Sequence, residues 1–214
     1  MILFFGDSHT AAFVIQENNS MIPDLVLIKN GPFNSYRTWP YTCFNIDTKF
    51  EILTGYLSEL KLTKDDIVFF SYGETDLRCH IGPNSFDTLQ EDENISSIVN
   101  KYVHFLNMIK KQFDFDVGCY GPIASGIHNG PNGNDSIPSY SNSIERNKIT
   151  VKFNNELKKK CKEKGIIYKD IFRHLVYDNF ETKNEYYGDK IHLGFNARKL
   201  LLNEFQDIIQ KFVE

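Results

Sequence analysis

Residues 1–13 read MILFFGDSHTAAF. Four apolar residues, Ile2 to Phe5, run without a break into Gly6-Asp7-Ser8-His9, after which small and apolar residues resume. An uninterrupted apolar run of this kind is what a strand needs when helices cover both faces of a parallel sheet. The polar cluster then falls at the carboxyl end of that strand, where open α/β sheets bind ligands. An acid, a hydroxyl and an imidazole side by side at that point either cap a helix or line an active site. The rest of the chain has to decide between the two.

Four further segments repeat the opening pattern: LVLIK (25–29), DIVFFSY (66–72), FDVGCY (115–120) and GIIYKDI (165–171). Amphipathic stretches run between them. In ISSIVNKYVHFLNMIKKQF (95–113), Ile95, Ile98, Val99, Tyr102, Val103, Leu106 and Ile109 share one helical stripe. ERNKITVKFNNELKKKCKEKG (145–165) ends on Gly165, a helix stop, and LGFNARKLLLNEFQDIIQKFV (193–213) is a third such segment. The alternation predicts an α/β fold: three layers, α/β/α, around a flavodoxin-like, doubly wound parallel sheet of five strands with right-handed crossovers. One domain is expected over residues 1–214. ASGIHNGPNGNDSIPSYSNS (124–143), rich in Gly, Asn, Ser and Pro, breaks the pattern and predicts a flexible loop at the carboxyl edge of the fourth strand.

Composition excludes several functions. A formal net charge of −4 offers no general attraction to nucleic acid or to anionic membranes, both of which need a basic surface. No apolar stretch approaches the roughly eighteen residues of a membrane span. Met1 runs straight into the first strand without a basic leader, so no signal peptide is expected. Cys43, Cys79, Cys119 and Cys161 are scattered with no C-x-x-C pair. That speaks against a zinc site or a disulfide framework and for a reducing, cytoplasmic location.

The polar residues that end the strands form a set. GDSH closes the first strand, and SYGETDLRCH (71–80) closes the third with Glu74, Thr75, Asp76, Arg78 and His80. NGP, with Gly31, follows the second, and YYGDKIHLG (186–194) places Asp189 and His192 three apart before the last helix. In a parallel sheet these clusters converge on one edge. Together they resemble the SGNH/GDSL hydrolases: GDSH looks like block I, GETD like block III and DKIH like block V, in the family's order and over essentially the whole chain. The resemblance implies the SGNH hydrolase fold and a serine esterase with no metal or organic cofactor.

A serine hydroxyl is a weak nucleophile and needs an adjacent base. On this reading Ser8 attacks the acyl carbon, His192 takes and returns the proton, and Asp189 orients the imidazole. Nothing in the chain has the G-x-S-x-G elbow of α/β-hydrolases. The oxyanion hole departs from the family pattern of a serine N–H, a block II glycine and a block III asparagine. Gly31 can serve as the glycine, but Thr75 stands at the asparagine position. Arg78 and His80 leave the same strand end as candidate donors to an oxyanion or a substrate carboxylate, and Asp7 and His128 are candidate substrate contacts. GETDLRCH also resembles the G-E-x-D-x-R-x-H variant of a divergent SGNH-like group associated with polysaccharide biosynthesis, which implies an O-acylated, most simply acetylated, glycan or small-molecule ester as substrate.

Other readings stay open on the same residues. Ser8 can cap a helix, and Arg78 can pair with Glu74 or Asp76. An O-acyltransferase uses the same triad as a hydrolase. A fold with an altered oxyanion hole can bind a glycan or a partner without turnover. Asp7-x-His9, with Asp76, His80, Asp189 and His192, is also similar to a two-metal phosphoesterase set, although that family's G-N-H-[DE] and G-H-x-H elements are missing.

Overall fold

Successive side chains of a strand point to opposite faces, and in the first strand both sets are buried. Ile2 and Phe4 enter one apolar cluster, Leu3 and Phe5 another, each with 1% exposure or less. The unbroken apolar run is thus explained by cover on both sides. In the computed structural model, which describes residues 1–14, 24–81, 88–126 and 141–212, this strand is β1 (Ile2–Gly6). The others are β2 (Leu27–Asn30), β3 (Phe33–Arg37), β4 (Ile67–Ser71), β5 (Asp116–Tyr120) and β6 (Ile167–Lys169). They form one sheet in the order β2-β3-β1-β4-β5-β6, in which every pairing is parallel except that of β2 with β3.

The Leu3 and Phe5 face packs against α1 (Phe50–Glu59), α2 (Thr88–Gln112) and α3 (Ser143–Glu163). The opposite face is covered by the 3-10 turn Ser8–Phe13, by Ile171–Val176, and by the C-terminal helices α4 (Arg198–Glu204) and α5 (Gln206–Gln210). Phe205, at the break between α4 and α5, meets Phe4 and Phe69 edge-on, with ring centroids 5.1 and 4.9 Å apart. The single helical segment expected over 193–213 is divided there, with Phe205 at φ −100° and ψ 9° between the two helices. No helix among the described residues is long and apolar enough to cross a membrane.

The α/β class and the three layers match the expectation, but the sheet has six strands, not five. The added strand is β3, and β2 pairs with it as an antiparallel edge hairpin. Asn34 and Ser35 interrupt its apolar character although both are buried, Asn34 by donating its side-chain amide to Ile2 O at 3.0 Å. Gly31 sits in the two-residue hairpin loop with φ +65°, a conformation that glycine adopts without strain. Since β3 runs parallel to β1, with Ile2 opposite Phe33 and Gly6 opposite Arg37, Gly31 lies at the amino edge of the sheet. It is separated from the Ser8 edge by the length of β3, about 20 Å. Gly31 is therefore a turn residue and not an oxyanion donor. Of the loop expected at 124–143, residues 127–140 lie outside the described residues, and His128 with them.

β1 and β4 approach so closely at their carboxyl ends that a Cβ on Gly6 would stand 2.2 Å from the main-chain oxygen of Ser71. Backbone cannot rotate away as a side chain can. Gly6→Ala is therefore expected to destabilise the fold by about 3 kcal/mol, the upper range for overpacking, read as a lower denaturant midpoint at unchanged m-value.

Candidate active site

Ser8 follows β1 directly and opens the short 3-10 turn. Asp7 caps that turn: its carboxylate accepts the His9 N–H at 3.0 Å, and its carbonyl accepts the Thr10 hydroxyl at 2.9 Å. Asp7 is thus buried, with one carboxylate oxygen committed to the backbone. Burial pushes its pKa up to about 6 against the pull of His9. The serine that this cap presents is only half-buried.

The partner of Ser8 comes from the other end of the chain. Residues 187–193 form a small lobe closed by a bridge between Tyr187 and Leu193 and by the Gly188 N–H donating to His192 O at 3.0 Å. Within it, Asp189 Oδ1 accepts both the Ile191 and His192 N–H groups at 2.6 Å, the self-bonded turn that aspartate favours. The same carboxylate places Oδ2 2.7 Å from His192 Nδ1, and His192 Nε2 lies 2.8 Å from Ser8 Oγ. A continuous Asp189–His192–Ser8 hydrogen-bonded chain results. Burial alone would raise the Asp189 pKa, but those three bonds from His192 and Ile191 hold it below the usual carboxylate range. His192 is held below the usual imidazole range by burial and by the nearby His9, although Asp189 pulls the other way.

The third contribution comes after β4. Glu74 begins a helical turn that widens into a π-type turn over Leu77–Ile81. Glu74 and Arg78, four apart, pair on one side of it. Arg78 Nε donates to Glu74 Oε1 at 2.9 Å and Nη2 donates to Oε2 at 3.1 Å. Burial would raise the Glu74 pKa, but His9 and Arg78 together hold it at about 2. Asp76 and His80, also four apart, pair on the other side at 3.2 Å. Asp76 is fully buried and accepts the Cys43 and Phe44 N–H groups at 2.7 and 3.0 Å, so it shapes the 42–44 corner.

Ser8, His9 and His192 open into a crevice of about 420 Å³ that Arg37, Pro40, Thr75, Arg78 and Cys79 also line. Of the residues expected here, Ser8, His192, Thr75, Arg78 and Asp7 line it, with Asp189 behind His192. Gly31 is at the far edge. His80 turns instead toward a neighbouring pocket lined by Phe44, Asn94, Ser97 and Ile98, because its ring is held on Asp76. Arg78 reaches the crevice but spends its fork on Glu74. Among the described residues no three His, Cys, Asp or Glu side chains are grouped so that they could hold a metal ion.

No family model matches the chain, and no curated protein matches it in sequence. Solved structures match it over nearly its whole length. A Streptococcus pneumoniae protein provisionally described as a platelet activating factor superposes with a TM-score of 0.63 at 16% identity, over 97% of this chain and 83% of that one. An acetylxylan esterase from Geobacillus stearothermophilus does so with 0.57 at 13%, over 97% and 93%. A GDSL-like lipase from Bacteroides thetaiotaomicron gives 0.53 at 12%, over 98% and 87%. The chain has the SGNH hydrolase fold. On this SGNH scaffold the carboxyl ends of β1 and β4 and the lobe before α4 are what meet at the crevice.

Sequence does not single out Arg37, at the rim of the crevice, or Arg146, behind it. Arg37 ends β3, and its place at the rim follows only once that strand is found. Arg146, 1% exposed, grips the flanks of the 127–140 segment from α3. Its Nε donates to Ser125 Oγ at 2.6 Å, and its Nη1 donates to Ser141 O. His9, expected either to line the crevice or to cap a helix, does line it, and its pairing with Glu74 is what the sequence does not show.

Proposed function

We propose that the protein is a serine esterase that removes a short acyl group, most simply acetyl, from an oxygen of a carbohydrate through an acyl-Ser8 intermediate. The observation that carries this reading is the Asp189–His192–Ser8 chain at the mouth of the crevice. Ser8 Oγ attacks the carbonyl carbon while its proton passes to His192 Nε2. The tetrahedral intermediate collapses, the sugar oxygen leaves with that proton, and the acyl group remains on Ser8. Water, deprotonated by His192, then attacks the acyl carbon and releases the acid. A sugar hydroxyl in place of water would make the same machinery a transferase. The SGNH fold and the esterases among its structural neighbours support the reaction class. The carbohydrate rests on the likeness of GETDLRCH to polysaccharide-associated proteins. The free cysteines of the described chain favour a reducing, cytoplasmic setting.

The developing oxyanion calls for hydrogen-bond donors beside Ser8. The Ser8 N–H is one, and Thr75, half-buried at the crevice, is the side chain available at the position where the family uses asparagine. Thr75→Val keeps the shape and removes the hydroxyl. It is expected to lower kcat/KM for p-nitrophenyl acetate by about a hundredfold with the substrate KM nearly unchanged.

The deciding experiment is a serine-directed fluorophosphonate. One adduct per chain, mapped by peptide sequencing to Ser8, together with turnover of p-nitrophenyl acetate, supports the esterase. Sugar binding with neither labelling nor turnover would support a binding protein built on the same fold.

A further inference from the structure

Beside the Ser8–His192–Asp189 chain runs a second line of charged side chains that the proposed acyl transfer does not use. His9 is 7% exposed, and its ring centroid stands 5.2 Å from that of His192. Its Nε2 lies 3.5 Å from Glu74 Oε2, and the Arg78 fork closes the other side of that carboxylate. Its Nδ1 is buried with no hydrogen-bond partner among the described residues, so Glu74 is its polar anchor. Burying such a set is costly unless its members are paired. The cap of the turn that carries His9 uses its backbone N–H, which donates to Asp7, and not its ring. The ring stands instead between Glu74 and the His192 imidazole.

The geometry points to His9 as a positioning residue for His192. Clamped on the Glu74–Arg78 pair, it holds a positive charge and a ring against the His192 imidazole, biasing His192 toward the neutral form that can accept the Ser8 proton. This rests on the reading of Ser8 as the nucleophile. The cost to basicity has a return in the next step, since a weaker base is a stronger acid toward the leaving sugar oxygen.

The groups facing His9 are Asp7 from its own turn, Glu74 and Arg78 from the turn after β4, and His192 from the 187–193 lobe. Burial and Arg78 work against its charge, but Asp7 and Glu74 outweigh them and raise its pKa above the ordinary value. Facing His192 are Ser8, His9, Glu74 and Asp189. Glu74 also attracts a proton to His192, though its charge is shared with Arg78 and offset on its other side by Arg146. Two imidazoles in one site whose surroundings push them apart are the pattern that separates a fixed charge from a working base.

The test is the pH dependence of fluorophosphonate labelling, followed by intact mass, for the wild type and for His9→Gln. Labelling requires neutral His192, so its rate falls on the acid side. Removing a neighbouring cation makes His192 easier to protonate, and the acid limb of His9→Gln should move to higher pH. Even with water-like screening at this separation, the rate on that limb, relative to the plateau, should fall at least about threefold. A lowered plateau with an unmoved midpoint would make His9 a packing residue and overturn the inference. If His9→Gln does not fold, histidine-ring NMR of the wild type decides: His9 must keep its proton where His192 has lost its own, and the reverse order overturns the inference. Ser8→Ala in parallel separates the two levels. Labelling that survives it overturns the nucleophile, whereas Ser8-dependent labelling with an unmoved midpoint overturns only the role of His9.

Discussion

Ser8→Ala is expected to abolish fluorophosphonate labelling and to lower ester turnover by about 10⁴- to 10⁶-fold, the range seen when an acyl-transfer nucleophile is deleted. The fold should survive. The cap on which the turn depends uses Asp7 Oδ1, Asp7 O, the His9 N–H and the Thr10 hydroxyl, none of which belongs to the Ser8 side chain. The hydroxyl lost is one end of a half-buried bond to His192 Nε2, worth about 1 kcal/mol. A thermal midpoint within a few degrees of wild type, alongside lost labelling, is the expected pair of results. A large residual activity would mean that another group attacks the ester, and the acyl-Ser8 pathway would fall.

How much of this was legible in the sequence depended on which physical signal each element carries. β1 and β4 are apolar runs buried on both faces, and β5 and β6 sit in shorter apolar stretches, Val117–Tyr120 and Ile166–Tyr168, so all four are legible from local sequence. β3 did not, because Asn34 and Ser35 are buried polar residues in a strand, with Asn34 satisfied by Ile2 O from the neighbouring strand. Such compensation depends on a partner 32 residues away and leaves no local trace. Without β3, LVLIK reads as a parallel strand and Gly31 as a residue on the ligand edge. With β3, the same glycine becomes the turn of an edge hairpin.

The GETDLRCH stretch shows the opposite case, where spacing held more than was drawn from it. Glu74 with Arg78 and Asp76 with His80 are both i,i+4 pairs, the separation that brings side chains together on a helical surface. Offset by two residues, they fall on different sides of one turn. One pair is delivered to the crevice and the other to the 42–44 corner, which explains both why Arg78 reaches the site and why His80 leaves it. Asp189 and His192 were legible for a related reason: a three-residue separation lets one carboxylate bond both backbone and ring, and the structure realises that bond. The neighbour of His9 was not legible, because Glu74 is 65 positions away in sequence.

Asp189→Asn is the more discriminating substitution of the triad, because this carboxylate does two things at once. Oδ1 holds the Ile191 and His192 N–H groups at 2.6 Å, and Oδ2 faces His192 Nδ1 at 2.7 Å. An asparagine must choose. If its carbonyl oxygen faced the ring, its NH₂ would confront two backbone N–H donors, and all three would lose their protein acceptor. The amide is therefore expected to keep its oxygen on the two backbone donors and turn its NH₂ toward His192 Nδ1. Nδ1 must then accept, which moves the ring proton to Nε2. In that tautomer Nε2 donates toward Ser8 Oγ and cannot remove its proton. The expected loss is about 10⁴-fold in kcat, the scale observed when an orienting aspartate elsewhere is made asparagine, with the lobe and the fold intact. Asp189→Ala, which frees the ring to choose its tautomer but also drops the two backbone bonds, should retain more activity per folded molecule and lose more stability. Equal activity losses for the two variants would show that Asp189 acts only as an anchor of the lobe, and the tautomer argument would fail.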